Sequence, residues 1–134
     1  MTDMYLLPNA SYRRLYTEYK NYGSLVIGFD FDGTIYDYHG TGATFEDLIT
    51  LLKRLHKLGC SLVCWTAHPD LNRVAEYLKE KEIPCDSING DGIPLKWASR
   101  KAFFSALLDD RAGLIQVYED LTKLCETIEL ENAA

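Results

Sequence analysis

The sequence predicts a single α/β domain built on a central parallel sheet. Two observations carry that reading: short apolar runs alternate with amphipathic stretches of helical period, and three of the runs end in a polar residue able to do chemistry. A chain of 134 residues is about one domain, large enough to bury a core without disulfides, and no internal repeat or linker divides it.

The elements follow in order. Residues 12–22 place Tyr12, Leu15, Tyr16 and Tyr19 at helical spacing. Residues 25–29 are an unbroken apolar run that stops at Asp30, as a strand buried on both faces would. Thr44 stands where it can cap a helix whose Leu48, Leu51, Leu52, Leu55 and Leu58 share one face, and Gly59 ends it. Residues 61–65 predict a second strand ending at Thr66. Pro69 suits the first turn of the next helix, with Leu71, Val74, Ala75 and Leu78 facing inward. Residues 85–88 predict a short third strand, and residues 105–108 a fourth that ends at Asp109-Asp110. Leu114, Val117, Tyr118, Leu121, Leu124 and Ile128 define a last amphipathic helix. The chain therefore reads as an N-terminal helical segment (1–23), a core (24–113) and a C-terminal helix (114–130). Strands alternating with helices imply right-handed crossovers and a sheet covered on both faces. Ligands of such sheets bind beyond the carboxyl ends of the strands, where Asp30, Thr66 and Asp109 stand.

Composition narrows the function classes. An apolar share of 47% with 25% charged residues is that of an ordinary soluble globular protein. No run approaches the roughly 20 apolar residues that span a bilayer, and Met1-Thr2-Asp3-Met4-Tyr5 lacks the basic start of a secretory signal. Cys60, Cys64, Cys85 and Cys125 form no CxxC, and no histidine pair has zinc spacing, so they are expected as small hydrophobes in a reducing, cytoplasmic compartment. A net charge of −6 disfavours nucleic acid as a partner.

Asp30 and Asp32, two apart at a strand end, can point their carboxylates the same way while Phe31 turns into the core. Gly33 permits the sharp turn that follows. Clustered carboxylates repel, and a hard divalent cation relieves the repulsion; Mg2+ suits a few carboxylates, waters and a phosphate oxygen. A carboxylate so screened can attack phosphorus, and a second can protonate the leaving oxygen and then activate water. Thr66 offers a hydroxyl and neighbouring N–H groups to the phosphoryl oxygens, and a lysine within 96–101 offers a cation.

Asp30-Phe31-Asp32-Gly33-Thr34, Trp65-Thr66, Lys101 and Leu108-Asp109-Asp110 together resemble the four successive motifs of the haloacid dehalogenase (HAD) superfamily, over residues 24–113. Arg100-Lys101 followed by Asp109-Asp110-Arg111 is also similar to a small bacterial and phage branch of HAD-like hydrolases. The resemblance implies a three-layer Rossmann-like fold and a phosphomonoester hydrolase. It implies Asp30 as nucleophile and metal ligand, and Asp32 as general acid/base with its carbonyl on the metal. Thr66 and Lys101 would bind the phosphoryl group, and Asp109 and Asp110 would complete the Mg2+ site. Spacing to Asp109 prefers Lys101 to Lys96, and an Asp at position 32 favours phosphatases over dehalogenases. Neither 35–43 nor the interval between Thr66 and Lys101 has room for a cap domain, so an open site is expected, covered at most by the 35–43 flap, the 89–97 loop or a partner subunit.

Plainer readings stand beside these. Asp and Gly commonly start turns, Thr66 can cap a helix, and Lys101 can be a surface lysine. His68 serves equally as substrate contact or cap, and Arg111 reads first as an ion-pair partner of the acidic pair. Tyr36, Tyr38 and His39 lie in the flap. Five tyrosines within the first 22 residues, interleaved with Arg13, Arg14 and Lys20, could stack single-stranded nucleic acid. Their helical spacing favours packing onto the domain or a second copy of the chain. The rival functions are a non-catalytic HAD-like binding or regulatory protein and a polynucleotide-end phosphatase; the favoured substrate is a small phosphorylated molecule.

Overall fold

The computed structural model describes residues 3–94 and 100–134. Val26–Phe29 (β1), Ser61–Cys64 (β2), Ser87–Ile88 (β3) and Ala106–Leu108 (β4) form one all-parallel sheet in the order β3-β2-β1-β4. Four helices flank it: Ala10–Tyr22 (α1), Glu46–Lys57 (α2), Leu71–Glu80 (α3) and Leu114–Ala133 (α4). The architecture is α/β and Rossmann-like.

Strand alternation sorts the side chains between two faces. Ile27 and Phe29 share a core with Leu51, Leu52 and Leu55 of α2 and with Leu121 and Leu124 of α4. The next residues along β1 face the other way. A Cβ on Gly28 would sit 2.9 Å from the Phe104 ring, and one on Gly92 would sit 2.6 Å from Val26. The chain around Gly92 and Phe104 therefore lies directly on the sheet and closes its second face.

Register fixes where the site must be. Phe29 pairs with Cys64 on one side and with Leu108 on the other, so β1, β2 and β4 end at one level. The chain leaves β1 for β2 in one direction and returns to β4 on the opposite side. The crevice between β1 and β4 is thus the reversal point at which open α/β sheets bind ligands.

Several boundaries move from their expected places. Thr44 does not cap α2; Phe45 takes that position without a side-chain bond, and Glu46 and Asp47 face the positive end of the helix instead. Pro69 precedes α3, which is capped by Asp70 accepting from the Arg73 amide at 3.2 Å. Val74 and Leu78 are buried there, but Leu71 and Ala75 are exposed, so α3 presents a narrower apolar stripe than expected. The third strand keeps only two residues, and Ser105 lies before the fourth, where its hydroxyl accepts from the Val26 amide at 2.9 Å.

Three tyrosines of α1, Tyr12, Tyr16 and Tyr19, pack against the core. Tyr12 bonds Thr127 at 3.0 Å, Tyr16 donates to Glu131 at 2.6 Å and Tyr19 donates to the Leu58 carbonyl at 2.7 Å. Tyr22 is left exposed. All four cysteines are free, three of them buried. Burial pushes the Cys60 thiol up to about 11 and that of Cys125 to about 12, which makes them packing groups rather than nucleophiles. Among the described residues, no helix is long and apolar enough to cross a membrane.

Candidate functional site

The site grows from the turn after β1. The Asp30 amide donates to the Leu108 carbonyl at 2.8 Å, which carries the β1–β4 ladder one residue past the strand. Phe31 then turns into the core, fully buried, stacked on Tyr36 and edge-on to His68 and Tyr77. Its carbonyl accepts from the amides of Thr34, Ile35 and Tyr36, drawing the chain into a tight loop. Gly33 sits at φ +78° within that loop, a conformation that a Cβ penalises. A Cβ there would also lie 3.0 Å from Asp110 Oδ2.

This turn meets the one after β4. Asp30, Asp109 and Asp110 bring carboxylate oxygens within 4.8 Å of one another. Asp30 is half-buried, and its carboxyl is pushed up to about 6, first by loss of water, then by the Asp110 and Asp109 side chains. Such a group resists ionising unless a cation arrives. The donor set is all oxygen and gathers like charge at a strand-end crevice, which fits a hard divalent cation such as Mg2+.

Asp32 stands apart from that cluster. Its Oδ1 is buried with no hydrogen-bond partner among the described residues, and His68 Nε2 lies 4.0 Å away. His68 Nδ1 accepts from the Asp70 amide at 3.0 Å, so the ring proton sits on Nε2 and faces Asp32. An orphaned carboxylate oxygen with a donor just out of range marks a place where a proton or a polar ligand group would be satisfied.

Thr66 follows β2. Asn89 Oδ1 accepts from its amide at 2.8 Å and Asn89 Nδ2 donates to its carbonyl at 2.9 Å. Its hydroxyl accepts from the His68 amide at 3.0 Å, leaving the hydroxyl proton free to donate. Asn89 is itself held at φ 56° with its amide on the Cys64 carbonyl. The expected hydroxyl is therefore on offer, but the Thr66 amide is committed to Asn89.

One cleft of about 740 Å3 is lined by Asp30, Asp32, Thr66, Asn89, Asp109 and Asp110. Tyr38, His39, Trp65, Ala67 and Arg111 also line it. Arg111 joins none of the ion pairs among the described residues, so the expected pairing with the acidic residues does not form. Lys101 is exposed and lines a second cavity, with Arg14, Phe104 and Asp120, that shares Trp65 with the acidic cleft. Lys96, the other candidate lysine, lies outside the described residues. Five of the six expected site residues thus line one cleft, and Lys101 lines the neighbouring one.

Two contributors escaped the sequence reading. Asn89 follows the third strand as Asp30 follows the first, so its strand-end position was the available signal. Thr34 stands out in the sequence only as part of a motif, yet it is fully buried and its hydroxyl lies 3.3 Å from both Asp30 and Asp110.

No family model and no curated protein matches the chain. Among solved structures, a conserved protein from Bacteroides thetaiotaomicron is 24% identical with a TM-score of 0.61, over 75% of this chain and 91% of that one. A structural-genomics target from Vibrio cholerae is 24% identical with a TM-score of 0.46, over 78% of this chain and 97% of that one. The Bacteroides likeness bears on the fold.

Proposed function

We propose that the protein is a capless, HAD-like, magnesium-dependent phosphatase that hydrolyses a small phosphomonoester through an aspartyl-phosphate on Asp30. One observation carries the reading: the carboxylates of Asp30, Asp109 and Asp110 lie within 4.8 Å of one another, at the level where the strands end. Such a cluster is costly without a cation and is placed where α/β sheets take ligands.

Asp30, Asp109 and Asp110 would hold the magnesium ion, with the carbonyl of Asp32. Bound there, the ion supplies charge neutralisation and polarises the phosphoryl oxygens. In the first step the Asp30 carboxylate attacks phosphorus, and the bond to the alcohol oxygen breaks as Asp32 gives that oxygen a proton. In the second, water attacks the phosphorus of the aspartyl-phosphate and passes its proton to Asp32. The bond to the Asp30 oxygen breaks, phosphate leaves, and both side chains return to their starting states. Thr66 donates its hydroxyl proton to a phosphoryl oxygen. Lys101 is the lysine assigned to the phosphate by its spacing, and Arg111 is a second cation on the rim of the cleft. Buried, free thiols support a reducing, cytoplasmic setting.

The test is hydrolysis of p-nitrophenyl phosphate and a broad phosphomonoester panel, with and without Mg2+. Activity that needs the metal and vanishes in a folded Asp30→Asn protein supports the proposal. Magnesium binding without hydrolysis of any panel member would favour a binding or regulatory protein instead. A 3′-phosphorylated oligonucleotide in the same panel covers polynucleotide ends, which the charge of −6 disfavours.

A further inference from the structure

The aromatic rim of the cleft is unused by the chemistry above. Trp65 is 38% exposed although it follows Val63 and Cys64, which are wholly buried. Its amide donates to the Phe29 carbonyl at 2.9 Å, and its ring rests edge-on against Phe104 at 5.5 Å, so the indole is held in place while one part stays open. Tyr38 is 60% exposed. It rides on a flap that Asp37 pins by accepting from the Thr41 and Gly42 amides at 2.9 and 2.8 Å, with His39 edge-on to its ring. Leaving part of the Trp65 ring and most of Tyr38 in water forgoes burial energy. Both line the same cleft as the carboxylates, and its volume of about 740 Å3 leaves ample room beside a phosphoryl group.

We infer that the cleft selects phosphomonoesters whose alcohol carries a flat, unsaturated ring, and that Trp65 and Tyr38 provide the stacking surface for that ring. The inference rests on the phosphatase reading and adds the substrate class. A nucleoside monophosphate and an aryl phosphate share this chemistry, and they differ in how far the ring lies from phosphorus.

The full-length protein with Mg2+ is assayed on adenosine 5′-monophosphate, ribose 5-phosphate, phenyl phosphate and glycerol 2-phosphate, with KM and kcat separated. Stacking of one ring is expected to lower KM for adenosine 5′-monophosphate about tenfold below that for ribose 5-phosphate. Trp65→Leu and Tyr38→Ala each narrow that gap, whereas Trp65→Phe retains most of it. A lower KM for phenyl phosphate than for adenosine 5′-monophosphate would place the ring next to the phosphoryl group. Equal KM values for the ring-bearing and ringless substrates, or a gap unmoved by both Trp65→Leu and Tyr38→Ala, overturns the inference and leaves the phosphatase reading standing. If nothing is hydrolysed, the phosphatase reading fails. Calorimetric binding of adenosine 5′-monophosphate against ribose 5-phosphate then decides the stacking surface alone, with equal affinity overturning it.

Discussion

The backbone amide of Asp110 donates to the Thr34 hydroxyl at 3.1 Å, tying the turn after β4 to the turn after β1. The same hydroxyl lies 3.3 Å from carboxylate oxygens of Asp30 and Asp110. It has one proton, so it serves one carboxylate at a time while accepting from the amide. Thr34→Val preserves shape and removes the tie. The expected loss is about 1 kcal/mol of stability, read as a lower urea midpoint, with weaker Mg2+ binding. An unchanged midpoint would show that the two turns are held by something else.

Gly33→Ala tests the turn itself. A Cβ meets both the left-handed φ of +78° and Asp110 Oδ2 at 3.0 Å. The conformational part alone costs roughly 1–2 kcal/mol. The carboxylate must also shift, so metal affinity and activity should fall further than stability does. A variant with wild-type activity would mean that Asp110 can move without consequence.

Asp30 sets a pH dependence in the metal-free protein. Its carboxyl is raised from 3.8 to about 6. Below 3.8 it is protonated whether the chain is folded or not, and contributes nothing. As pH rises between those values the unfolded chain ionises while the folded site resists, so stability is lost, fully so above about 6. Asp30→Asn removes the penalty. It should raise the melting temperature in chelator at pH 8 and leave it unchanged at pH 3.5. Destabilisation at pH 8 would contradict the sign of the effect.

Asn89 is expected to act through Thr66. Asn89→Gly keeps the backbone at ease at φ 56° but removes both bonds to the Thr66 backbone. A higher KM for phosphomonoesters follows if that clamp positions the Thr66 hydroxyl. Asn89→Ala adds a left-handed strain of about 1 kcal/mol and should lose more stability than the glycine variant. Wild-type KM in Asn89→Gly would remove Asn89 from the site.

How much of this was legible in the sequence depends on the range of the interaction. The segments 25–29, 61–65 and 105–108 pointed to strands, each to within a residue of its observed bounds, because buried parallel strands are largely apolar runs, and their ends named Asp30, Thr66 and Asp109. Phe31 turning inward followed from the two-residue period of a strand. The Thr44 cap failed because Ser/Thr preference is only a local tendency; α2 starts two residues later, at Glu46, with Phe45 in the cap position. The clamp from Asn89 to Thr66 spans 23 positions, and no local pattern announces it. Adjacency to the acidic pair suggests an ion pair for Arg111, yet among the described residues only its backbone amide bonds a carboxylate, that of Asp109 at 3.0 Å. That Lys101 lines the neighbouring cavity is likewise a property of the packed chain.

In the proposed reaction Asp30 becomes covalently phosphorylated. The most direct measurement is an acid quench during turnover with Mg2+, followed by borohydride, which reduces an acyl phosphate to the alcohol. The peptide carrying Asp30 is then weighed by mass spectrometry. Homoserine is expected at position 30, present only with substrate and metal, and none at Asp32, Asp109 or Asp110. Turnover that leaves Asp30 unmodified under every quench time, or modification at another carboxylate, would contradict it.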